Sequence, residues 1–452
     1  MAKTQNMTTG SEAGHIIRFA LPLLGGNILQ QTYNIVDTAI VGRVLGGDAL
    51  AAVGATGSVT FLFFTVCMGL STGAGIIVSQ FFGANNKKRL NSSVVCSALV
   101  TLFFGLLTSI ISVMLAVPIL KVLKVPDELV MTAATYMRIA CGGTVCVAAY
   151  NWINAIMRSL GDSKTPLVFL IISSVINVGL DFLFVVGFGM GVAGAALATV
   201  ISQGISATLC IIWCFKDGRL IRVEWKKEHI SRDMIFLCIR TGIPVALQFG
   251  LISVSMAWLQ RVTNGFGSTV MAAYTIAMRI EQFVHQPFAS ISTAISTFTG
   301  QNIGAEKKDR AVKGLRSTIA ISTVMAFIEA GLFMLLGRYI AGIFVTDEAV
   351  IDITSKALLI TGSCYWALGL IYTVRGFLNG SGDTGYALLN GIAEVIGRCG
   401  LSAVLPKIPI FSFWGIWFTT SITWLFTAIV GLIRYKSGRW ASKSIVKAEE
   451  TE

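Results

Sequence analysis

Charge is what this sequence has least of. Asp, Glu, Lys and Arg make up 13% of its 452 residues, against 54% hydrophobic, and the mean hydropathy is +0.74. A soluble domain of this length needs far more charge to cover its surface, so the composition excludes one and points to a polytopic membrane protein. Histidine is scarce, with 3 in the chain, and none of the 9 cysteines forms a C-x-x-C pair. That leaves no pattern for a metal site or a disulfide framework; the cysteines fall in or beside apolar runs and read as small packing residues. No G-x-x-x-x-G-K-[ST] run is present, so an ATP-driven pump would need a partner chain for its motor. H-E-x-x-H and G-x-S-x-G are also missing, which argues against an intramembrane enzyme. Nothing calls for a cofactor. The opening stretch, residues 1–14, lacks the apolar core and cleavage site of a secretory signal, so the first apolar segment is expected to be retained as a span.

What the chain has in abundance is apolar runs long enough to cross a bilayer as helix. Twelve are expected, at 16–42, 51–80, 92–117, 131–156, 166–187, 192–215, 237–263, 270–299, 315–336, 350–377, 386–405 and 413–434. The 46 glycines suit close helix contacts in lipid. The two halves repeat. Gly83-Ala84 matches Gly304-Ala305, Gly161-Asp162 matches Gly382-Asp383, and Gly194 matches Gly415, all at an offset of 221; Pro22 and Pro244 match at 222. Six spans per repeat is an even number, so both halves enter the membrane in the same sense. The expected fold is an all-α polytopic membrane protein of twelve transmembrane helices, in two six-helix bundles related by a pseudo-two-fold axis around a central cavity. The expected organisation is a tail at 1–15, an N-lobe at 16–215, a linker at 216–236, a C-lobe at 237–434 and a tail at 435–452.

Basic residues set the orientation. One set of loops and termini carries 24 Lys and Arg and the alternate set 7, which places both termini in the cytoplasm of a protein of the plasma membrane, or the inner membrane of a bacterium. The net charge of +12 is spread over short loops. It reads as a topology signal, not as a nucleic-acid surface.

Polar residues inside the spans carry the chemistry. Asn27, Gln30, Asn34 and Asp37 recur at helical spacing on the first span. Asp37 lies six residues before Arg43, about 9 Å below that helix end, where an Asp costs roughly 2.5–3.5 kcal/mol on insertion scales. The fifth span carries Asn177 and Asp181, and the sixth Thr199 and Gln203, each pair i, i+4 on one face. Gathered together, Asp37, Asn177, Asp181 and Thr199 offer carboxylate, amide and hydroxyl oxygens, which hard cations prefer. Two carboxylates in a low dielectric cannot both stay charged without a shared proton or cation. The cluster is therefore read as a site for Na⁺ or H⁺, the alternative being a static hydrogen-bond network. In the second half the matching positions are Leu259, Arg398, Ser402 and Thr420, which cannot build the same site, so ion coupling is expected to be asymmetric. That half has Arg279, Glu281 and His285 in its eighth span, Glu329, Arg375, and a structural charge pair, Glu394 with Arg398, at i, i+4. Glu281 and His285 are at the same spacing, and substrate contact and structural pairing both remain open for Glu281. Pro22 is expected to kink the helix that bears Asp37, either as a fixed bend or coupled to ion binding.

These residues resemble the MATE (multidrug and toxic compound extrusion) family of cation-coupled antiporters, over nearly the whole chain. The specific likeness is Pro22, Gln30, Tyr33 and Asp37 in the first span, Asn154 in the fourth, Asn177 with Asp181 in the fifth and Thr199 in the sixth. The resemblance implies a cation or proton site at Asp37, Asn177, Asp181 and Thr199, with the Ala195 backbone as a further donor. It also implies export of amphipathic, often cationic organic compounds in exchange for inward Na⁺ or H⁺, by a chain expected to act as a monomer. Candidate cavity residues are Gln30, Tyr33, Asn34, Asn154, Gln203, Gln248, Arg279 and Glu281. Where one branch has an acid in its seventh span this chain has Gln248, and near Leu368 it lacks another, which speaks against a second-lobe cation site of that kind. Arg279 and Glu281 look more like the DinF-type branch. A lipid-linked sugar flippase of the same superfamily is the alternative, supported by Arg279, Arg375 and Arg398.

Overall fold

The computed structural model describes residues 5–123, 125–216 and 230–448. Most of the expected linker, 217–229, and the outermost parts of both tails lie outside the described residues. The described chain is helical, with no strand among these residues. The helices are α1 (Glu12–Leu45), α2 (Gly47–Gly83), α3 (Lys87–Val122), α4 (Asp127–Gly142), α5 (Thr144–Ser159), α6 (Lys164–Asp181), α7 (Gly191–Phe215), α8 (Arg232–Thr263), α9 (Ser268–Gly304), α10 (Lys308–Phe344), α11 (Glu348–Gly362), α12 (Tyr365–Gly380), α13 (Gly385–Val404) and α14 (Gly415–Lys436).

Twelve spans account for these fourteen helices. Eight helices are long and apolar enough to cross a membrane alone, and α4 with α5, and α11 with α12, are two more spans broken by bends of 42° and 50°. The remaining two, α1 and α9, run 34 and 37 residues. They fall short in apolarity because they carry Asp37 and its polar neighbours, and Arg279, Glu281 and His285. Surfaces are apolar where lipid is the solvent: on α10, Phe327, Ile328, Met334 and Leu335 are all exposed.

The repeat is written into the turns. Positive φ occurs at Gly46 and Gly267, at Asn85 and Glu306, and at Gly161 and Gly382, each pair 221 residues apart. The breaks at Gly143 and Cys364 obey the same offset. At Gly161 the φ of +88° is joined by a close approach of the Gln5 backbone, so a side chain is excluded twice over.

The chain forms two compact units. The first comprises Pro22–Leu247 together with Gln5 and Asn6; the second comprises Met7–Leu21 and everything from Gln248 onward. This division falls inside α1 and α8 rather than in the expected linker. In the first unit, Gly69 and Gly73 of α2 lie against Ala246 and Gly242 of α8 so closely that a Cβ has no room. Small residues on both helices let the backbones meet, which ties the start of α8 to this unit. In the second unit the segment before α1 is strapped down. The Met7 N–H donates to Gln301 Oε1 (2.9 Å) and its carbonyl accepts from Asn302 and Arg310, while Arg310 pairs with Glu12 at 3.0 Å.

Candidate functional site

Asp37 sits on α1 in the first unit, half-buried. Asp181 is the last residue of α6 and fully buried. The helix does not stop there but loosens into a π-helical stretch, Phe182–Gly187, a feature that often marks functional positions. The carboxyl groups of Asp37 and Asp181 lie within hydrogen-bonding reach of each other. Below them Val41, Val185 and Ala195 form a buried apolar cluster that clamps α1, the π-helical stretch and α7 together.

Around Asp181 the hydrogen bonds are specific. With the Asn177 amide oriented so that both its atoms are bonded, Nδ2 donates to Asp181 Oδ2 at 3.2 Å and Oδ1 accepts the Thr199 N–H at 3.3 Å. The Thr199 hydroxyl donates to the Ala195 carbonyl at 3.1 Å. Asp37 Oδ1 and Asp181 Oδ1 are both buried without any partner. Buried lone pairs of this kind are costly unless something occupies them. Tyr33, one turn before Asp37, and Tyr136 of α4 both lie in electrostatic range of the two carboxyls. Sequence reasoning missed Tyr136; a tyrosine in an apolar run gives no signal unless its distance from the break at Gly143 is noticed.

The structure thus brings together Asp37, Asp181, Asn177, Thr199 and Ala195, with Tyr33 beside them. It does not gather the rest into that group. Gln30 and Asn34 are exposed on α1. Gln203, one turn after Thr199, is half-buried with Oε1 unpartnered, and Asn154 is buried on α5 with Oδ1 unpartnered, next to the Tyr150 hydroxyl. Pro22, Pro244 and Pro287 lie inside continuous helices.

In the second unit Gln248 is buried, and its Nε2 donates to Asn390 Oδ1 at 2.7 Å. Its amide is engaged inside the helix packing. Arg279 is exposed whereas Glu281, two residues on, is buried, so they occupy opposite sides of α9. His285 does not pair with Glu281 as the spacing allows; its Nδ1 meets the Tyr372 hydroxyl at 3.1 Å. Arg398 and Glu394 form a buried ion pair at 3.4 Å, and Arg398 also donates to Ser255 Oγ at 3.2 Å. Arg375 lies over the Tyr372 ring, 4.3 Å from its centroid.

A helical polytopic chain, duplicated in sequence, with two carboxyls meeting between its helices belongs to the class of membrane carriers. Comparison with known proteins sharpens this. The MatE family profile matches residues 22–183 and 244–398, one match per repeat. The chain belongs to the MatE family, the multidrug and toxic compound extrusion transporters; it is a transporter and not an enzyme. Among curated relatives, it is 28% identical over 409 residues to the probable multidrug resistance protein YoeA of Bacillus subtilis, covering 88% of each chain. It is 27% identical to the probable multidrug resistance protein YpnP of the same organism, covering 98% of this chain and 99% of the relative. Among solved structures, it shares the fold of a MOP superfamily transporter from Pyrococcus furiosus, with TM-score 0.90 and 23% identity over 98% of this chain and 99% of the other. It also shares that of a multidrug resistance MATE family transporter in an outward-facing conformation, with TM-score 0.91 and 22% identity over 98% and 99%.

Proposed function

We propose that this protein is a secondary active exporter. It takes in H⁺ or Na⁺ and expels amphipathic, often cationic organic compounds by alternating access, with the coupling site in the N-lobe at Asp37 and Asp181. The observation that carries this reading is the approach of the two carboxyls with an unpartnered oxygen on each. One bound positive charge stabilises such a pair; its departure leaves two negative charges that repel in a low dielectric. The pair therefore has two states of different preferred geometry, and both lie on helices of the N-lobe. Asn177 holds Asp181 in place and, through its bond from the Thr199 N–H, ties α6 to α7.

A proton needs only the two carboxyls. A hard metal cation takes several oxygen ligands; the Asn177 and Ala195 carbonyl oxygens each accept one bond from Thr199 and keep a second lone pair, so the imposed gradients decide between H⁺ and Na⁺. The relatives named as multidrug resistance proteins support organic compounds as substrates. A plasma-membrane monomer with cytoplasmic termini completes the reading, and Gln203, Asn154, Gln30 and Asn34 are its substrate contacts. The flippase alternative loses support because Arg398 is committed to Glu394 and Arg375 to the Tyr372 ring.

The test is efflux of a cationic dye from proteoliposomes under separately imposed H⁺ and Na⁺ gradients. Efflux driven by an H⁺ or an Na⁺ gradient is the expected result. Dye movement indifferent to both gradients would contradict cation coupling.

A further inference from the structure

The second unit holds a guanidinium that no described residue neutralises. Arg375 lies on α12, five residues before Gly380 and so about 8 Å along the helix from that end. It is 9% exposed. Among the described residues no carboxylate lies at ion-pair distance from it, and none accepts a hydrogen bond from its N–H groups. The two acids that share its surroundings at Tyr386 are taken, Asp383 by Arg434 at 2.7 Å and Glu394 by Arg398 at 3.4 Å. What Arg375 does meet is the face of the Tyr372 ring, with 4.3 Å from the guanidinium carbon to the centroid.

The ring takes only the flat side of the guanidinium. Its N–H donors point out along the edge, and a buried charge left in this way is costly unless an anion meets it. The fold itself does not need the charge. At the matching place in the first unit, 221 residues earlier, stands Asn154, and the broken span of α4 and α5 forms there all the same. One turn on, Arg158 matches Asn379, with the order of amide and guanidinium reversed. Asn379 is 8% exposed and its Oδ1 has no partner. Beside Arg375 the aromatic surface continues: the Tyr372 hydroxyl meets His285 Nδ1 at 3.1 Å, and the His285 ring stands 6.0 Å from that of Trp424.

A guanidinium with a free edge is the side chain best shaped for a carboxylate, which it holds through two parallel N–H bonds. Charges at depth in a span face the protein interior or a water-filled path, and mark where cargo passes. We propose that Arg375 is a subsite for the carboxylate of zwitterionic amphipathic substrates, whose aromatic body lies along Tyr372 and His285 and whose N–H group reaches Asn379 Oδ1. One guanidinium matches one negative group; the two phosphates of a lipid-linked sugar need more. The subsite admits compounds that carry an acid beside their positive charge, an acid that Asp37 and Asp181 would repel. This rests on the reading of the chain as an exporter of amphipathic compounds and is independent of which ion drives it.

Two rhodamine dyes built on one body test the subsite: one with a free carboxylate, zwitterionic at neutral pH, and its methyl ester, which is only cationic. Binding of each to the purified full-length protein is followed by fluorescence anisotropy with no gradient imposed. Arg375→Gln should weaken the free acid by about 10-fold, as expected on removing a charge-assisted bond, and leave the ester within about two-fold. Equal loss for both dyes, or no loss for either, would overturn the subsite and leave the exporter reading standing. Wild type binding the ester alone would overturn the subsite too, and binding neither dye would remove the exporter reading with it. Displacement of the free acid by phosphatidylglycerol but not by phosphatidylcholine assigns the guanidinium to a lipid headgroup and likewise overturns the proposal. Should Arg375→Gln not fold, Arg375→Lys decides, since it keeps the charge but loses the paired donors. The free acid should weaken there while the ester does not, and an unchanged preference overturns the subsite.

Discussion

Asp37 and Asp181, on different helices of one unit, face each other within hydrogen-bonding reach, and each keeps one buried oxygen free of any partner. Two of their neighbours are committed: Asn177 to Asp181 and to the Thr199 backbone, Thr199 to Ala195. A fully satisfied network would be an argument for mere structure. The pair of orphan oxygens at the centre is an argument for a guest.

Asn177 supplies the donor that holds Asp181 Oδ2 at 3.2 Å. Asn177→Ala removes it without touching either acid. Gradient-driven efflux should fall by about 10-fold or more, the usual effect of deleting a group that orients a ligand, while dye movement down its own gradient persists. Coupled efflux at the wild-type rate would show that the amide does not position the acid.

The Glu394–Arg398 pair is buried on both sides. Glu394→Gln leaves the guanidinium with Ser255 as its hydrogen-bond partner and should cost about 3–5 kcal/mol. The expected outcome is a lower melting temperature in detergent and poor yield, with transport per folded molecule largely kept. Wild-type thermal stability with abolished transport would contradict the structural reading of this pair.

Gly376 and Gly380 let α12 lie directly on the carbonyls of Ser292 and Ser296 in α9. Gly380→Ala should overpack this contact and destabilise the second unit by about 1–3 kcal/mol. Gly385→Ala, whose new methyl meets nothing within 4 Å, is the control and should melt like wild type. Equal melting of the two variants would refute the close contact.

Arg310 binds the Met7 carbonyl and Glu12 at once. Arg310→Ala should release the segment before α1, read as faster amide hydrogen exchange over residues 7–12 and unchanged exchange in the interior of α12. Protection equal to wild type would place the strength of the strap in Gln301 and Asn302.

Much of this was legible before the structure, for physical reasons that differ between elements. The twelve spans follow from uninterrupted apolar runs. Glu394 with Arg398 follows from i, i+4 geometry on one helix, and the acid cluster from the cost of placing carboxyls at depth. The breaks at Gly143 and Cys364 were not legible, because hydropathy continues straight through them. His285 shows the limit of spacing: Glu281 is a permitted partner one turn away, but the ring meets Tyr372 on another helix instead. Tyr136 was invisible because a hydroxyl in an apolar run is common, and only packing tells which ones face an acid.

The most direct test concerns Asp37 itself. Proteoliposomes bearing wild type or Asp37→Asn are loaded with dye, and efflux is followed with and without an imposed cation gradient. Efflux in the variant should no longer respond to the gradient, while the protein stays folded and dye still equilibrates slowly. Gradient-driven efflux that survives the substitution unchanged would contradict the account.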